Sequence, residues 1–187
     1  MALEQGARAR RHRINEVALR LFAQQGYDAV SLQDVAKAAE ISIDELVEQA
    51  HTKEYLILGE SAQGPLWILD RFEQLPPDTD VLQGLKDVFI ERIGLFPEEH
   101  MRLWRSAVRT APAELQQFVA LGVIERSALV GMVADRMGLE SSADPRPSAL
   151  VSAVIGAVGE AYEIWLHGQS DRDLLDLTQE SLARLPD

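Results

Sequence analysis

Between residues 14 and 53 the apolar residues recur with a helical period in three consecutive short runs, which leaves this stretch little choice but a compact set of helices. In INEVALRLFAQQ, residues 14–25, Ile14, Val17, Ala18, Leu21 and Phe22 stand at i, i+3, i+4, i+7 and i+8, and Gly26 supplies a C-terminal stop. SLQDVAKAAE follows, with Ser31 as N-cap, Asp34 three residues on as an imperfect capping-box acid, and Leu32, Val35, Ala36 and Ala39 on one face. Ser42 caps a third run in which Leu46, Val47 and Ala50 are expected to turn inward, with Asp44 and Glu45 beside the positive end of the helix dipole. Thr52 caps a fourth helix, predicted from Lys53 to Phe72, before LPPDTD breaks it.

Beyond that break the pattern predicts helices over 79–94, 97–110, 112–138, 146–167 and 171–185. Pro97 and Pro112 sit at helix starts, where a missing N–H does no harm. GLESSADPRP is the one extended loop, and no alternating β pattern of useful length occurs. The expected fold class is therefore all-α with about nine helices, a three-helix head at 1–53 and a larger helical domain at 54–187.

Charge divides along the same line. Residues 1–53 carry 7 Lys+Arg against 8 Asp+Glu, and the remainder carries 11 against 22, so the net charge of −12 lies almost wholly in the second part. Such a molecule does not bind nucleic acid nonspecifically as a whole. The absence of cysteine excludes disulfides, thiolate metal sites and thiol nucleophiles. The N-terminus is basic but lacks the apolar run of a secretory signal, which predicts a cytoplasmic protein. The most apolar stretch, 149–166, is interrupted by Glu160 and Glu163 and reads as a buried helix rather than a membrane span.

Two short helices joined by a tight turn, after a longer amphipathic one, make a helix-turn-helix unit whose second short helix enters the major groove. Ala36 is small enough for close helix approach, Val35 and Leu46 are core positions, and AEIS makes the turn. Residues 13–57, RINEVALRLFAQQGYDAVSLQDVAKAAEIS followed by IDELVEQAHTKEYLI, resemble the N-terminal domain of tetracycline-repressor-type (TetR family) transcriptional regulators. The rest of the chain is similar to that family's variable domain in length, helix count and its two final helices. The resemblance implies a DNA-binding regulator, a ligand-responsive repressor that dimerises through its last two helices and reads a palindromic operator. A small apolar or amphipathic effector in the C-terminal domain would shift the fourth helix and the separation of the two heads.

This sequence departs from the family's pattern in the reading segment. Glu40 stands at the usual turn glycine, Val47 at the usual tyrosine and Ala50 at the usual phenylalanine, and Asp44, Glu45 and Glu48 add negative charge. Acids near phosphate oppose the counterion release that drives affinity, so the expectation is salt-sensitive binding carried mainly from outside IDELVEQ. Candidate contacts are an arm of Arg8, Arg10, Arg11 and Arg13, the hydroxyls of Ser31, Ser42 and Thr52 at helix starts, and Lys37. Ile43, Asp44, Val47, Glu48 and His51 lie on the reading helix, and the resemblance marks Lys53 as a phosphate clamp.

In the second domain Trp67, Phe89, Phe96, Met101, Trp104, Phe118, Tyr162 and Trp165 are candidates to line an effector cavity, and Arg105 to meet an anionic group there. Arg102, Arg105 and Arg109 share one face of their helix, where Glu98 can pair with Arg102. Gly156 and Gly159, together with Leu174, Leu175, Leu177, Leu182 and Leu185, suggest a four-helix interface between two chains. Nothing points to an enzyme, a cofactor or a metal: His12, His51, His100 and His167 are isolated, and HExxH, GxSxG and phosphate-cradling glycine loops are missing. Two other readings stay open at this level, a relative that has lost DNA binding and acts as a protein-interaction module, and a small-molecule carrier.

Overall fold

The computed structural model describes residues 2–58, 64–117, 121–169 and 171–186. Eleven helices and no strand occur among them: α1 (Ala2–Gln25), α2 (Leu32–Ala38), α3 (Ile43–Ala50), α4 (Lys53–Leu58), α5 (Gly64–Glu73), α6 (Val81–Gly94), α7 (Glu98–Val108), α8 (Ala113–Gln116), α9 (Val123–Met137), α10 (Arg146–His167) and α11 (Leu174–Ala183). The single helices expected over 53–72 and 112–138 are each represented by two, and the residues between the two lie partly outside the described set. The chain forms two compact units, Met1–Ala62 with Pro97–Gln117, and Gln63–Phe96 with Phe118–Asp187. The first unit therefore includes α7 and α8, which the sequence reading put with the second domain.

In the first unit α1 packs against α2, α3, α4 and α7. Its inner face is Ile14, Ala18, Leu19 and Phe22, which meet a core drawn from Val35 and Ala36, Leu46 and Ala50, Leu56 and Ile57, and Met101, Ala107 and Val108. The helix begins at Ala2 rather than near residue 14. Alanine, arginine, glutamate and glutamine in ALEQGARARRHR are strong helix formers and carry the helix through what the sequence reading took for an arm. Short α4 ends with carbonyls that have no intrahelical partner. Asn15 of α1 donates to the Leu56 carbonyl at 2.6 Å, and the Trp104 indole of α7 donates to that of Ile57 at 2.8 Å. The fourth helix is thereby held from two sides.

The second unit is built on α10, whose Val151, Val154 and Val158 meet Ile68 and Phe72 of α5, Leu85, Val88 and Phe89 of α6, Leu129 and Val133 of α9, and Leu182 of α11. α10 is the one described helix long and apolar enough to cross a membrane, at a mean hydropathy of 1.4, and here it forms the spine of this core. Lys86 of α6 is buried and reaches the Leu185 carbonyl at 3.5 Å, placing a cation at the negative end of α11. Arg136 of α9 donates to the carbonyls of Phe72, Glu73, Leu75 and Pro76 at 2.7–3.3 Å and closes the end of α5. Gly138 stops α9 at φ +64, with Leu139 N donating to the Ala134 carbonyl at 2.9 Å.

Candidate nucleic-acid interface

The start of α2, the turn and the start of α3 are each fixed by local hydrogen bonds. Ser31 and Asp34 form a full capping box: Ser31 N donates to the Asp34 carboxylate at 2.9 Å and Asp34 N donates to Ser31 Oγ at 3.2 Å. The Ser31 hydroxyl also donates to the Asp34 carboxylate, and that bond, followed by the one from Ser31 N, holds the Asp34 carboxyl below its ordinary range. The turn closes through Ile41 N donating to the Ala36 carbonyl at 3.0 Å, and it requires a left-handed residue, Glu40 at φ +58. Ser42 then accepts from Glu45 N at 3.1 Å, opening α3.

Ile43, Leu46 and Ala50 recur at i, i+3 and i+7 on the inner side of α3, Leu46 and Ala50 fully buried and Ile43 half-buried. The face left to solvent presents Ser42, Asp44, Val47 and Glu48, with His51 and Thr52 just beyond it. Val47, expected inward, is 41% exposed, because the residue after Leu46 is turned about 100° away from the core stripe. It adds an apolar group to the reading face, suited to a thymine methyl.

The cations are placed differently from a loose arm. Arg10 and Arg13 share a face of α1 and brace the motif: Arg10 pairs with Glu45 at 2.6 Å, and Arg13 donates to the Ala39 carbonyl at 3.4 Å. Arg11 is exposed on the same helix, and the Arg8 side chain lies outside the described residues. Lys37 is exposed on α2. At the start of α4, Thr52 Oγ1 accepts from Tyr55 N at 3.2 Å, and the Lys53 ammonium stands 4.2 Å from the Tyr27 ring centroid.

Tyr27 is the site residue that sequence reasoning missed. Its ring lies under Lys53, burial together with the Glu54 carboxylate pushes its phenol up to about 12, and its backbone N donates to Thr110 Oγ1 at 3.0 Å, at the end of α7. Residues 27, 53 and 110 have no spacing that links them. Only the aromatic after Gly26, at the boundary of a predicted helix, offered a hint.

The effector candidates fall in both units. Met101 is core of the first unit, Arg105 is half-buried there, and Trp104 holds α4, while Arg102 pairs with Glu98 at 3.6 Å. In the second unit Phe89, Tyr162 and Trp165 are buried; half-buried Trp67 and Phe96 both lie near the Arg92 guanidinium, at 5.9 and 4.6 Å. Phe118 lies outside the described residues. No group of three or more His, Cys, Asp or Glu that could hold a metal occurs among the described residues.

A capped helix-turn-helix with a solvent-facing second helix, braced by α1 and joined to a separate all-helical unit, defines a helix-turn-helix regulator. Residues 14–58 match bacterial regulatory proteins of the tetR family, and residues 79–187 match the MftR C-terminal domain. The chain belongs to the TetR family, and it is a DNA-binding transcriptional regulator. It is 26% identical to the transcriptional regulator TcmR of Streptomyces glaucescens, over 93% of this chain and 81% of that one. Similarity to the Mycobacterium tuberculosis protein MftR, named for regulation of mycofactocin biosynthesis, is 25% identity over 85% of this chain and 81% of the other. Among solved structures, NalD, the secondary repressor of the MexAB-OprM efflux pump of Pseudomonas aeruginosa, shares the fold with a TM-score of 0.57 at 16% identity, covering 96% of this chain and 94% of that one. The Thermus thermophilus repressor FadR, solved with lauroyl-CoA, does so with a TM-score of 0.52 at 16% identity, over 92% and 91%.

Proposed function

We propose that the protein is a cytoplasmic homodimeric repressor that releases a palindromic operator when an apolar or amphipathic effector binds, with residues 1–53 reading DNA and 54–187 serving effector binding and dimerisation. The observation that carries this reading is the outer face of α3. Ser42, Asp44, Val47 and Glu48 stand clear of the core on a helix capped at its start, with Thr52 and Lys53 immediately after it. A carboxylate there can accept from cytosine N4, Val47 can meet a thymine methyl, and Lys53 can pair with phosphate.

Dimerisation is supported by α10, where Ala149, Ala153, Gly156, Glu160 and Ile164 form an exposed stripe at helical spacing. The leucines first assigned to that role are mostly used elsewhere, since Leu174, Leu177 and Leu182 are buried within the unit itself. The lauroyl-CoA complex of FadR illustrates the kind of amphipathic effector that this reading expects. Signal transfer is supported by the grip on α4, whose end is held by Asn15 and Trp104 and whose beginning is linked through Lys53 and Tyr27 to Thr110.

The test is iterative selection from random-sequence duplexes with the purified protein, read at about 50 and 150 mM salt, a range over which phosphate-driven binding changes steeply. Enrichment of a palindrome, lost on Lys53→Ala, is the expected result. A folded protein that enriches nothing at either salt overturns the reading.

A further inference from the structure

An eight-residue reading helix with three carboxylates faces a polyanion at a disadvantage, and the structure handles one of those carboxylates differently from the exposed pair Asp44 and Glu48. Glu45 is turned toward α1, its side chain 32% exposed, and its Oε1 lies 2.6 Å from Nη1 of Arg10, thirty-five positions earlier in the chain. The partner arrives because α1 begins far upstream of its buried stripe. One turn further along the same face, Arg13 reaches the Ala39 carbonyl at 3.4 Å, so this edge of α1 is fastened at both the turn and the start of α3.

We propose that Arg10 is a positioning residue for DNA binding, which acts through Glu45 rather than by contacting the nucleic acid. Paired with Arg10, the Glu45 carboxylate no longer adds a full negative charge beside the phosphates, and the first turn of α3 is fixed against α1. An unpaired acid at that place repels phosphate across a few ångströms, and the repulsion is least screened at low salt. The proposal rests on the DNA-binding reading above and assigns the basic N-terminal helix a task different from tracking phosphates.

A two-by-two series decides it: wild type, Arg10→Ala, Glu45→Gln and the double variant, each titrated by anisotropy against a labelled duplex carrying the sequence the wild type selects. Arg10→Ala is expected to weaken binding about fivefold at low salt, because it exposes a like charge to phosphate. Glu45→Gln should stay within about twofold of wild type, and adding it to Arg10→Ala should restore affinity to that same range with the wild-type salt slope. Arg10→Lys, which keeps the charge, should lose less than Arg10→Ala. Rescue of one deletion by another is something a merely structural loss at residue 10 does not show. The idea is overturned if Arg10→Ala binds as wild type does. It is equally overturned if the double variant remains as weak as the single one with a slope shallower by about one, the signature of an arginine that neutralises a phosphate itself. A wild-type protein that selects no duplex removes the DNA-binding reading and this proposal together, whereas a selecting wild type with additive variants removes this proposal alone.

Discussion

Glu40 is held at φ +58 in the turn between α2 and α3, a backbone conformation that disfavours side chains with a Cβ. Glycine there relieves roughly 1 kcal/mol of strain but loses part of it to greater freedom in the unfolded chain, so Glu40→Gly is expected to gain only about 0.5 kcal/mol. Glu40→Val, branched at Cβ, should lose about 1–2 kcal/mol, and thermal denaturation of the pair checks the order. A valine variant as stable as wild type would show that the turn is not left-handed. Tyr27 makes a second residue-scale test. Burial, then the Glu54 carboxylate, raises its phenol from 10.0 to about 12 in the fold, so the folded state holds its proton where the unfolded chain has released it. Its contribution to stability is therefore complete below pH 10 and is lost as pH rises through 12. Tyr27→Phe should flatten the decline of stability across that window and remove a late step from the phenolate absorbance titration; an unchanged slope counts against a buried Tyr27. The place of the turn was legible, since Glu40 stands where a turn glycine is usual, whereas the environment of Tyr27 depends on residues 53, 54 and 110 and cannot be read from any local pattern.

Arg136 shows what an element needs beyond its own periodicity. α5 ends in a segment whose carbonyls of Phe72, Glu73, Leu75 and Pro76 all accept from one guanidinium of α9 at 2.7–3.3 Å, Phe72 and Pro76 also accepting from Leu75 N and Thr79 N, and that guanidinium lies 5.2 Å from the Phe72 ring centroid. Replacing it by alanine should destabilise the fold by about 2 kcal/mol, a fall in Tm of roughly 4–8 °C. Arg136→Lys, with its point charge and no planar fork, should recover less than half of that loss. Calorimetry of the three proteins tests both numbers, and a lysine variant equal to wild type would mean that charge alone closes the helix. Elements with strong caps were legible in the sequence, as Ser31 with Asp34 and Ser42 with Glu45 N illustrate. The start of α1 was not, because the run from Ala9 to Arg13 is exposed and offers no apolar stripe to read, and it is stabilised by helix propensity and by Arg10 and Arg13 reaching residues far along the chain. Val47 was misplaced for a related reason: a short helix gives too few turns for periodicity alone to settle whether its core stripe runs through 46 or 47.

At the scale of the whole molecule the question is which surface joins two heads to one operator. A regulator that reads a palindrome needs a two-fold interface, and such an interface must offer the same patch to itself. The α10 stripe meets that condition with Ala149, Ala153 and Gly156 small enough for two helices to approach closely, although Glu160 within it has to reach the rim or a partner. Gly156 is the sharpest probe, because a Cβ built there meets nothing within 4 Å and a substitution leaves the protomer's own packing untouched. In an exposed helix interior, exchanging glycine for arginine also gains several tenths of a kcal/mol of helix propensity, so Gly156→Arg should leave the protomer's own fold intact, any fall in melting temperature coming from loss of the partner. At the interface the same side chain brings bulk and a charge against its own symmetry mate. Light scattering is therefore expected to show a monomer mass for Gly156→Arg and a dimer mass for wild type, with unchanged helical circular dichroism, and the selected palindrome should be bound far more weakly. A folded variant that keeps the dimer mass would move the interface off α10 without touching the assignment of α3, since a head can read its half-site whichever surface brings its partner alongside.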